Sequence, residues 1–150
     1  MSCQLIAGYD YIGVGVGAML FNNKGEVFLA QRGEKARNER GFWEFPGGEV
    51  TFGEKLTNAI HREFLEEYGI EIEVLELLSV ADHLLNQENQ HWVSVTFIAR
   101  HISGNSKILE SEKCSDIGWF LLSSLPEPLS SISKKNLYSY REKYGQRAFY

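Results

Sequence analysis

Four charged residues close together on one predicted helix are the best candidates for chemistry. A helix predicted over 55–68 carries Arg62, Glu63, Glu66 and Glu67. Carboxylates three and four positions apart converge on one patch of a helix, and carboxylate oxygens are the ligands that Mg²⁺ and Mn²⁺ prefer. Arg62 stands four positions before Glu66 and can hold that carboxylate in one orientation. A charge cluster on a helix is also typical of a solvated face, so spacing alone leaves two interpretations.

The apolar residues of the same helix favour the metal site. At about 100° per residue they form one broad arc, which consists of Leu56, Ala59, Ile60, Phe64 and Tyr68. Glu63 and Glu67 project within that arc and Glu66 lies at its edge, whereas a solvated face would lie opposite. Burying carboxylates is costly unless a cation or strong donors compensate. We therefore predict a divalent cation here.

The overall charge excludes some classes of partner. Lys and Arg total 15 against 20 Asp and Glu, which gives a formal net charge of -5. Such a chain binds nucleic acid polymers and anionic membranes poorly. A substrate that carries phosphates therefore needs metal ions between itself and the protein. The hydrophobic content of 43% excludes wholesale disorder.

Turn residues and hydrophobic patterns place the helix in a mixed α/β domain. We expect strands over 12–22, 26–32, 42–45, 71–81, 91–101 and 118–122, a turn at 46–48, and a second helix over 132–144. Gly69 is expected to end the first helix in a left-handed conformation. Because no repeat or linker divides the chain, residues 1–150 are expected to form one domain.

One segment fits a nucleotide-binding fingerprint without its structural context. Gly13 to Ala18 matches G-x-G-x-x-A, but that fingerprint needs a helix directly after it. A turn and a second strand follow instead. The alternating glycines therefore predict a strand with one bare face, which a ligand or helix can approach closely.

The stretch from Gly48 to Ile70 resembles the Nudix box, G-x5-E-x7-R-E-U-x-E-E-x-G-U, where U is a bulky apolar residue. The matching residues are Gly48, Glu54, Arg62, Glu63, Phe64, Glu66, Glu67, Gly69 and Ile70. The resemblance implies the Nudix α/β/α sandwich, a mixed sheet flanked by helices, and hydrolysis of a nucleoside diphosphate linked to another moiety. It also implies Mg²⁺, with Mn²⁺ as a substitute. The implied ligands are Glu63, Glu66, Glu67 and the backbone carbonyl of Gly47 or Gly48.

Two further glutamates each have two interpretations. Glu54 matches a catalytic position of the box, but Thr51–Glu54 also fits a capping box that closes the helix N-terminus. Glu112 stands in the segment Glu112-Lys113-Cys114, where the resemblance implies an additional metal ligand or general base. The alternative for Glu112 is an ordinary solvated loop residue.

Outside the box, several segments resemble the MutT-like nucleoside-triphosphate pyrophosphohydrolases, and together they cover most of residues 12–125. They are the Gly13–Gly17 strand, His91-Trp92-Val93 and the stretch from Glu112 to Trp119. These enzymes are often homodimers and release a nucleoside monophosphate and pyrophosphate. The expected base pocket includes Phe42, Trp43, His91 or Trp92, since aromatic faces stack on bases. Ordinary packing is the alternative for each.

Other branches of the family match less well. Leu85 replaces the proline of the ADP-ribose branch, and Asn86–Glu88 replaces the tyrosine of the dinucleoside-polyphosphate branch. The coenzyme A pattern is incomplete. A pyrophosphatase of ADP-ribose, a nucleotide sugar or coenzyme A is nevertheless the alternative enzyme. A module that binds nucleotides without turnover is a further alternative, although it has no need of a full metal-binding set.

The N-terminal residues have no basic region typical of a signal peptide. Their apolar run is interrupted by glycines and is shorter than the roughly 20 residues of a membrane span. We therefore expect a cytoplasmic enzyme that binds a nucleotide and neither a membrane nor a nucleic acid polymer.

Overall fold

The computed structural model describes residues 3–149, which form seven strands and two helices. In chain order these are β1 (Gly13–Phe21), β2 (Val27–Arg32), β3 (Trp43–Glu44), β4 (Gly47–Glu49), α1 (Leu56–Tyr68), β5 (Glu71–Leu85), β6 (Gln90–Ser103), β7 (Cys114–Phe120) and α2 (Ser131–Tyr144). The mixed α/β fold predicted from the sequence is confirmed. Neither helix in this part of the chain is long and apolar enough to cross a membrane.

The strands form one mixed sheet in the order β3-β2-β1-β6-β5, with β4 beside β1 and β7 beside β2. β1 and β6 are parallel, from Gly13 opposite Trp92 to Phe21 opposite Arg100. β1 leads into a turn and β2 rather than into a helix, which excludes the dinucleotide fingerprint.

The two helices cover opposite faces of the sheet. Alternate residues of β1 point to opposite faces and belong to two separate cores. The first core joins β1 to α1 through Ala18, Leu20, Ile60 and Phe64. The second joins β1 to α2 through Met19, Phe21, Leu137 and Tyr140. This arrangement is the α/β/α sandwich that the resemblance implies.

The turn predicted at 46–48 is wrong in part, because Gly47 and Gly48 belong to β4. They pair with Gly17 and Val16 of β1. A Cβ atom at position 47 would overlap the Val16 carbonyl oxygen. Glycine is therefore needed at position 47 because two backbones lie close together, and not because the chain turns there.

The predicted end of β5 and the predicted start of β7 are wrong, because pairing with other strands determines where these two strands begin and end. β5 continues past Ala81 because it stays paired with β6 as far as Leu85, opposite Gln90. β7 begins at Cys114 rather than at Gly118, because Cys114 pairs with Arg32 of β2. The end of α1 agrees with the prediction: Gly69 adopts a left-handed φ of 69° and its N–H donates to the Leu65 carbonyl.

Candidate active site

Helix α1 carries two carboxylates within its buried apolar stripe. The stripe consists of Ala59, Ile60, Phe64 and Tyr68. The Glu63 side chain is only 12% exposed and Glu67 is half-buried, whereas Glu66 is 53% exposed. Leu56, which was expected in the stripe, is 38% exposed. Residues 51–53 before the helix are themselves exposed, so they do not cover its first turn.

Gly48 provides the space that the Glu63 carboxylate occupies. A Cβ atom at position 48 would overlap that carboxyl group, so a larger residue would displace it. Gly47 and Gly48 line the same cavity as Glu63 and Glu67. The β4 backbone at Gly48 therefore packs directly against the Glu63 carboxyl group.

Arg62 connects three glutamates and a backbone carbonyl. Its Nε and Nη2 atoms donate to Glu54 Oε2 and Oε1 at 2.7 and 2.9 Å. Its Nη1 atom donates to Glu63 Oε1 at 2.9 Å and to Glu66 Oε2 at 3.2 Å. Nη2 also donates to the Glu49 carbonyl at 3.1 Å. The hydrogen bonds from Arg62 lower the pKa of Glu54 to about 2, and those to Glu54 raise the pKa of Arg62.

The capping-box interpretation of Thr51–Glu54 is wrong. The Thr51 N–H and hydroxyl do donate to Glu54 Oε1, at 3.2 and 3.0 Å. However, α1 begins at Leu56, and its N-cap residue Lys55 makes no capping bond with its side chain. A capping box needs the glutamate at the third helical position, and Glu54 precedes the N-cap. Its carboxylate binds Arg62 instead.

Four carboxylates from three parts of the fold (β3, α1 and the loop before β7) line the same cavity as Arg62. They belong to Glu44, Glu63, Glu67 and Glu110. Burial first, and then the charges of Glu63, Glu44 and Glu110, raise the pKa of Glu67 to about 8. Burial also raises the pKa of Glu63 and that of Glu44, the latter against the nearby charge of Arg32. At neutral pH the Glu67 carboxyl therefore keeps its proton unless a cation binds beside it.

The loop before β7 brings Glu110 to this cluster. The N–H groups of Lys107 and Leu109 donate to the carbonyls of Tyr68 and Glu67, at 3.1 and 3.0 Å. These bonds satisfy carbonyls that the end of α1 leaves free. Among the residues described, the buried Oε2 atom of Glu110 has no hydrogen-bond partner, and the Lys113 ammonium lies 3.4 Å from it.

Glu112, the predicted ligand or base outside the box, lies away from the site. Its side chain is 69% exposed and pairs with Lys35 at 3.1 Å. It does not line the cavity, whereas Glu110 does. Both are glutamates of one loop, so residue type and spacing could not separate them. The docking of the loop on α1 decides which of the two reaches the cluster.

The donor set at this cluster fits a divalent cation. Several hard carboxylate oxygens line one partly buried cavity. A cation there would lower the raised pKa of Glu67 and contact the Glu110 oxygen that has no hydrogen-bond partner among the described residues. As the side chains stand, no three His, Cys, Asp or Glu residues within 3–149 enclose a metal position. Arg62 instead bonds Glu63 and Glu66.

A cavity of about 500 Å³ leads from the carboxylates to Trp92. Of the four aromatic residues predicted for the base pocket, Trp92 alone lines it. Trp43 is buried in the second core, with its ring 5.4 Å from that of Phe120. Phe42 and His91 do not line the cavity. The structure therefore places one of the four predicted aromatic residues, Trp92, where it could contact a base.

The cavity also has lining residues that the sequence analysis missed: Arg32, Arg37, Gln90, Ser94, Thr96 and Asn136. Ser94 and Thr96 lie opposite Gly15 and Gly17 in the β1–β6 pair. The bare glycine face of β1 thus adjoins two hydroxyls. The alternation of Trp92, Ser94 and Thr96 along a predicted strand is the signal that could have identified this face.

Known proteins share this fold and sequence pattern. The NUDIX domain family model matches residues 12–140. The mouse protein named 8-oxo-dGDP phosphatase NUDT18 is 33% identical over 136 residues, which are 89% of this chain and 40% of that protein. The Proteus vulgaris 8-oxo-dGTP diphosphatase is 41% identical over 73 residues, which are 49% of this chain and 62% of that protein. The chain thus spans about two fifths of the mouse relative.

Among solved structures, the MutT NUDIX hydrolase from Burkholderia pseudomallei is similar over 85% of this chain and 96% of that one. Its TM-score is 0.78 and its sequence identity is 35%. The chain therefore belongs to the NUDIX domain family. Its fold is that of the MutT-like Nudix hydrolases.

Proposed function

We propose that this chain hydrolyses a nucleoside triphosphate, ordinary or oxidised, to a nucleoside monophosphate and pyrophosphate with Mg²⁺. One observation carries the proposal: a single cavity joins the carboxylates around Glu67 to the indole of Trp92. The two ends of this cavity suit the two ends of a nucleotide. Carboxylates at one end can hold the cations that phosphates need, and the aromatic residue at the other end can stack on a base. The names of the MutT-like relatives support it.

The residues that would hold the cation are Glu63, Glu66, Glu67, the carbonyl of Gly47 or Gly48, and Glu110 in place of Glu112. When bound, Mg²⁺ or Mn²⁺ neutralises the phosphates and lowers the pKa of a bound water. Glu54 fixes Arg62, and Arg62 keeps the carboxylates of α1 in place. Within residues 3–149 the Oε2 atom of Glu110 has no hydrogen-bond partner and lies 3.4 Å from the Lys113 ammonium, which leaves it in place as a further ligand or as the general base.

The second candidate substrate is a nucleoside diphosphate. The mouse and human relatives, which match 89% and 87% of this chain, are named 8-oxo-dGDP phosphatases. The same carboxylates and cavity serve either substrate, so the product distinguishes them. A diphosphate yields the monophosphate and phosphate, whereas a triphosphate yields the monophosphate and pyrophosphate.

A substrate panel with product identification tests the proposal. The panel contains dGTP, 8-oxo-dGTP, dGDP, 8-oxo-dGDP, ADP-ribose, a UDP-sugar and coenzyme A, each with Mg²⁺ and with Mn²⁺. We expect the highest kcat/KM for a triphosphate, and ³¹P NMR should identify pyrophosphate as the product. A higher kcat/KM for a diphosphate, ADP-ribose, the UDP-sugar or coenzyme A would overturn the substrate assignment. Binding without any turnover would favour the nucleotide-binding module.

We further propose that residues 1–150 form one such domain. The family match over 12–140 and a sheet shared by all seven described strands support this extent. Limited proteolysis should therefore leave one protected fragment that includes both α1 and α2.

A further inference from the structure

Trp92 lies directly on the backbone of two glycines. Trp92 is opposite Gly13 in the β1–β6 pair, and a Cβ atom at Gly13 or at Gly8 would overlap the indole. Residues with side chains at these positions would therefore displace the ring. Because Trp92 also lines the cavity, the part of its ring away from these glycines is available to a ligand.

A hydrogen-bond chain through the buried Gln90 fixes the orientation of this indole. Trp92 Nε1 donates to Gln90 Oε1 at 2.9 Å, and Gln90 Nε2 donates to the Tyr9 hydroxyl at 2.9 Å. Gln90 is only 4% exposed, so its amide is held between two partners. A ligand that stacks on the indole therefore meets a ring that is already in position, which reduces the entropic cost of binding.

Arg37 covers the indole from the loop between β2 and β3. Its guanidinium carbon is 5.5 Å from the centre of the Trp92 ring, and Nη2 is 3.6 Å from Glu49 Oε2. The Arg37 side chain is 51% exposed, so both contacts are weak, at about 1 kcal/mol or less each. Arg37 can therefore separate from the ring at little cost and admit a planar group.

We propose that the nucleotide base binds between the Trp92 indole and the Arg37 guanidinium. The inference rests on the proposed function and extends it to the base. Both groups are planar, and both stack on bases: aromatic rings through their faces, and arginine through its delocalised guanidinium. The base replaces one weak contact between indole and guanidinium with two stacked contacts. Arg37 thus acts on the base, unlike a cation that only attracts phosphates.

The test compares binding of dGMP, which has a base, with binding of ribose 5-phosphate, which has none. Calorimetry measures affinity, and quenching of indole fluorescence reports stacking independently of turnover. We expect Trp92→Leu to weaken dGMP binding at least fivefold, while Trp92→Phe retains most of the affinity. Arg37→Lys keeps the charge but loses the planar group, so it should also weaken dGMP binding severalfold. Neither change should affect ribose 5-phosphate.

Arg40→Lys is the matched control, because Arg40 belongs to the same loop, donates to the Ala36 carbonyl and does not line the cavity. It should bind dGMP as the unchanged protein does. Unchanged dGMP binding by Arg37→Lys would overturn the role of Arg37, and it tests the proposal even if Trp92→Leu misfolds. Failure of the unchanged protein to bind dGMP would overturn the proposal entirely. If the protein and its variants bind dGMP as expected but hydrolyse no nucleotide, the proposed function is wrong and the base site remains supported.

Discussion

The Arg62 guanidinium forms a two-point ion pair with the Glu54 carboxylate, with distances of 2.7 Å from Nε to Oε2 and 2.9 Å from Nη2 to Oε1. Paired geometry of this kind fixes both groups more firmly than a single contact does. Glu54 precedes α1 and Arg62 lies within it, so the pair attaches the loop to the helix face that carries Glu63 and Glu66.

Glu54→Gln should lower kcat about tenfold, because a neutral amide cannot form the charged two-point pair that orients Arg62. Steady-state kinetics over a Mg²⁺ titration measures the effect. Lys55→Gln is the neighbouring control, since the Lys55 side chain makes no capping bond, and it should behave as the unchanged protein. A normal kcat for Glu54→Gln would mean that Glu63, Glu66 and the Glu49 carbonyl hold Arg62 sufficiently.

The same ion pair should make stability depend on pH in the acid range. Arg62 lowers the pKa of Glu54 from its ordinary value of 4.5 to about 2. The stabilisation from this group is therefore complete above about pH 4.5 and is lost as the pH falls through about 2. Urea unfolding of the unchanged protein and of Glu54→Gln should give different free energies at neutral pH and similar ones near pH 2. A difference that persists at pH 2 would contradict the pairing.

Glu67→Gln should reduce turnover by on the order of 10²–10⁴-fold if Glu67 is a metal ligand. In metal-free protein, burial first and then the neighbouring glutamates raise the pKa of Glu67 to about 8, so at neutral pH folding requires this carboxyl to take up a proton. Glutamine removes that cost, so thermal unfolding in EDTA should shift upwards. Added Mg²⁺ should stabilise the unchanged protein but not this variant. Glu66→Gln should also lose turnover, yet without the gain in EDTA, because Glu66 is 53% exposed. Normal turnover by both variants would exclude the metal site.

Thr96→Val should stabilise the protein by about 1 kcal/mol, because it removes a buried hydroxyl that lacks a partner. Thr96 is 1% exposed, and within residues 3–149 its Oγ1 atom has no hydrogen-bond partner. Valine has nearly the same shape. Urea unfolding measures the change, and Thr96→Ser, which keeps the hydroxyl, should show no gain. Equal or lower stability of the valine variant would mean that the hydroxyl is satisfied.

The sequence predicts the α1 part of the site well because its information is local. Helical periodicity alone places Glu63 and Glu67 beside the buried stripe, and the motif that contains them also contains Gly48, which packs against the Glu63 carboxyl group. The rest depends on contacts between distant segments. Trp43 and Trp92 are equally aromatic, and only the register of the sheet buries one in a core and places the other at the cavity.

The sequence also cannot distinguish the roles of Glu110 and Glu112, because the packing of their loop on α1 decides which of them reaches the cavity. The two residues therefore provide a matched pair of variants. Each pairs with a lysine, but Glu110 lines the cavity with one buried oxygen that has no hydrogen-bond partner among the described residues, whereas Glu112 is 69% exposed and does not line the cavity. Glu110→Gln should therefore lower kcat at least tenfold and weaken the Mg²⁺ dependence, since it removes a carboxylate from the cluster around Glu67. Glu112→Gln should leave both unchanged. Kinetics of the two variants over a Mg²⁺ titration distinguishes them, and the opposite ranking would return the role to Glu112.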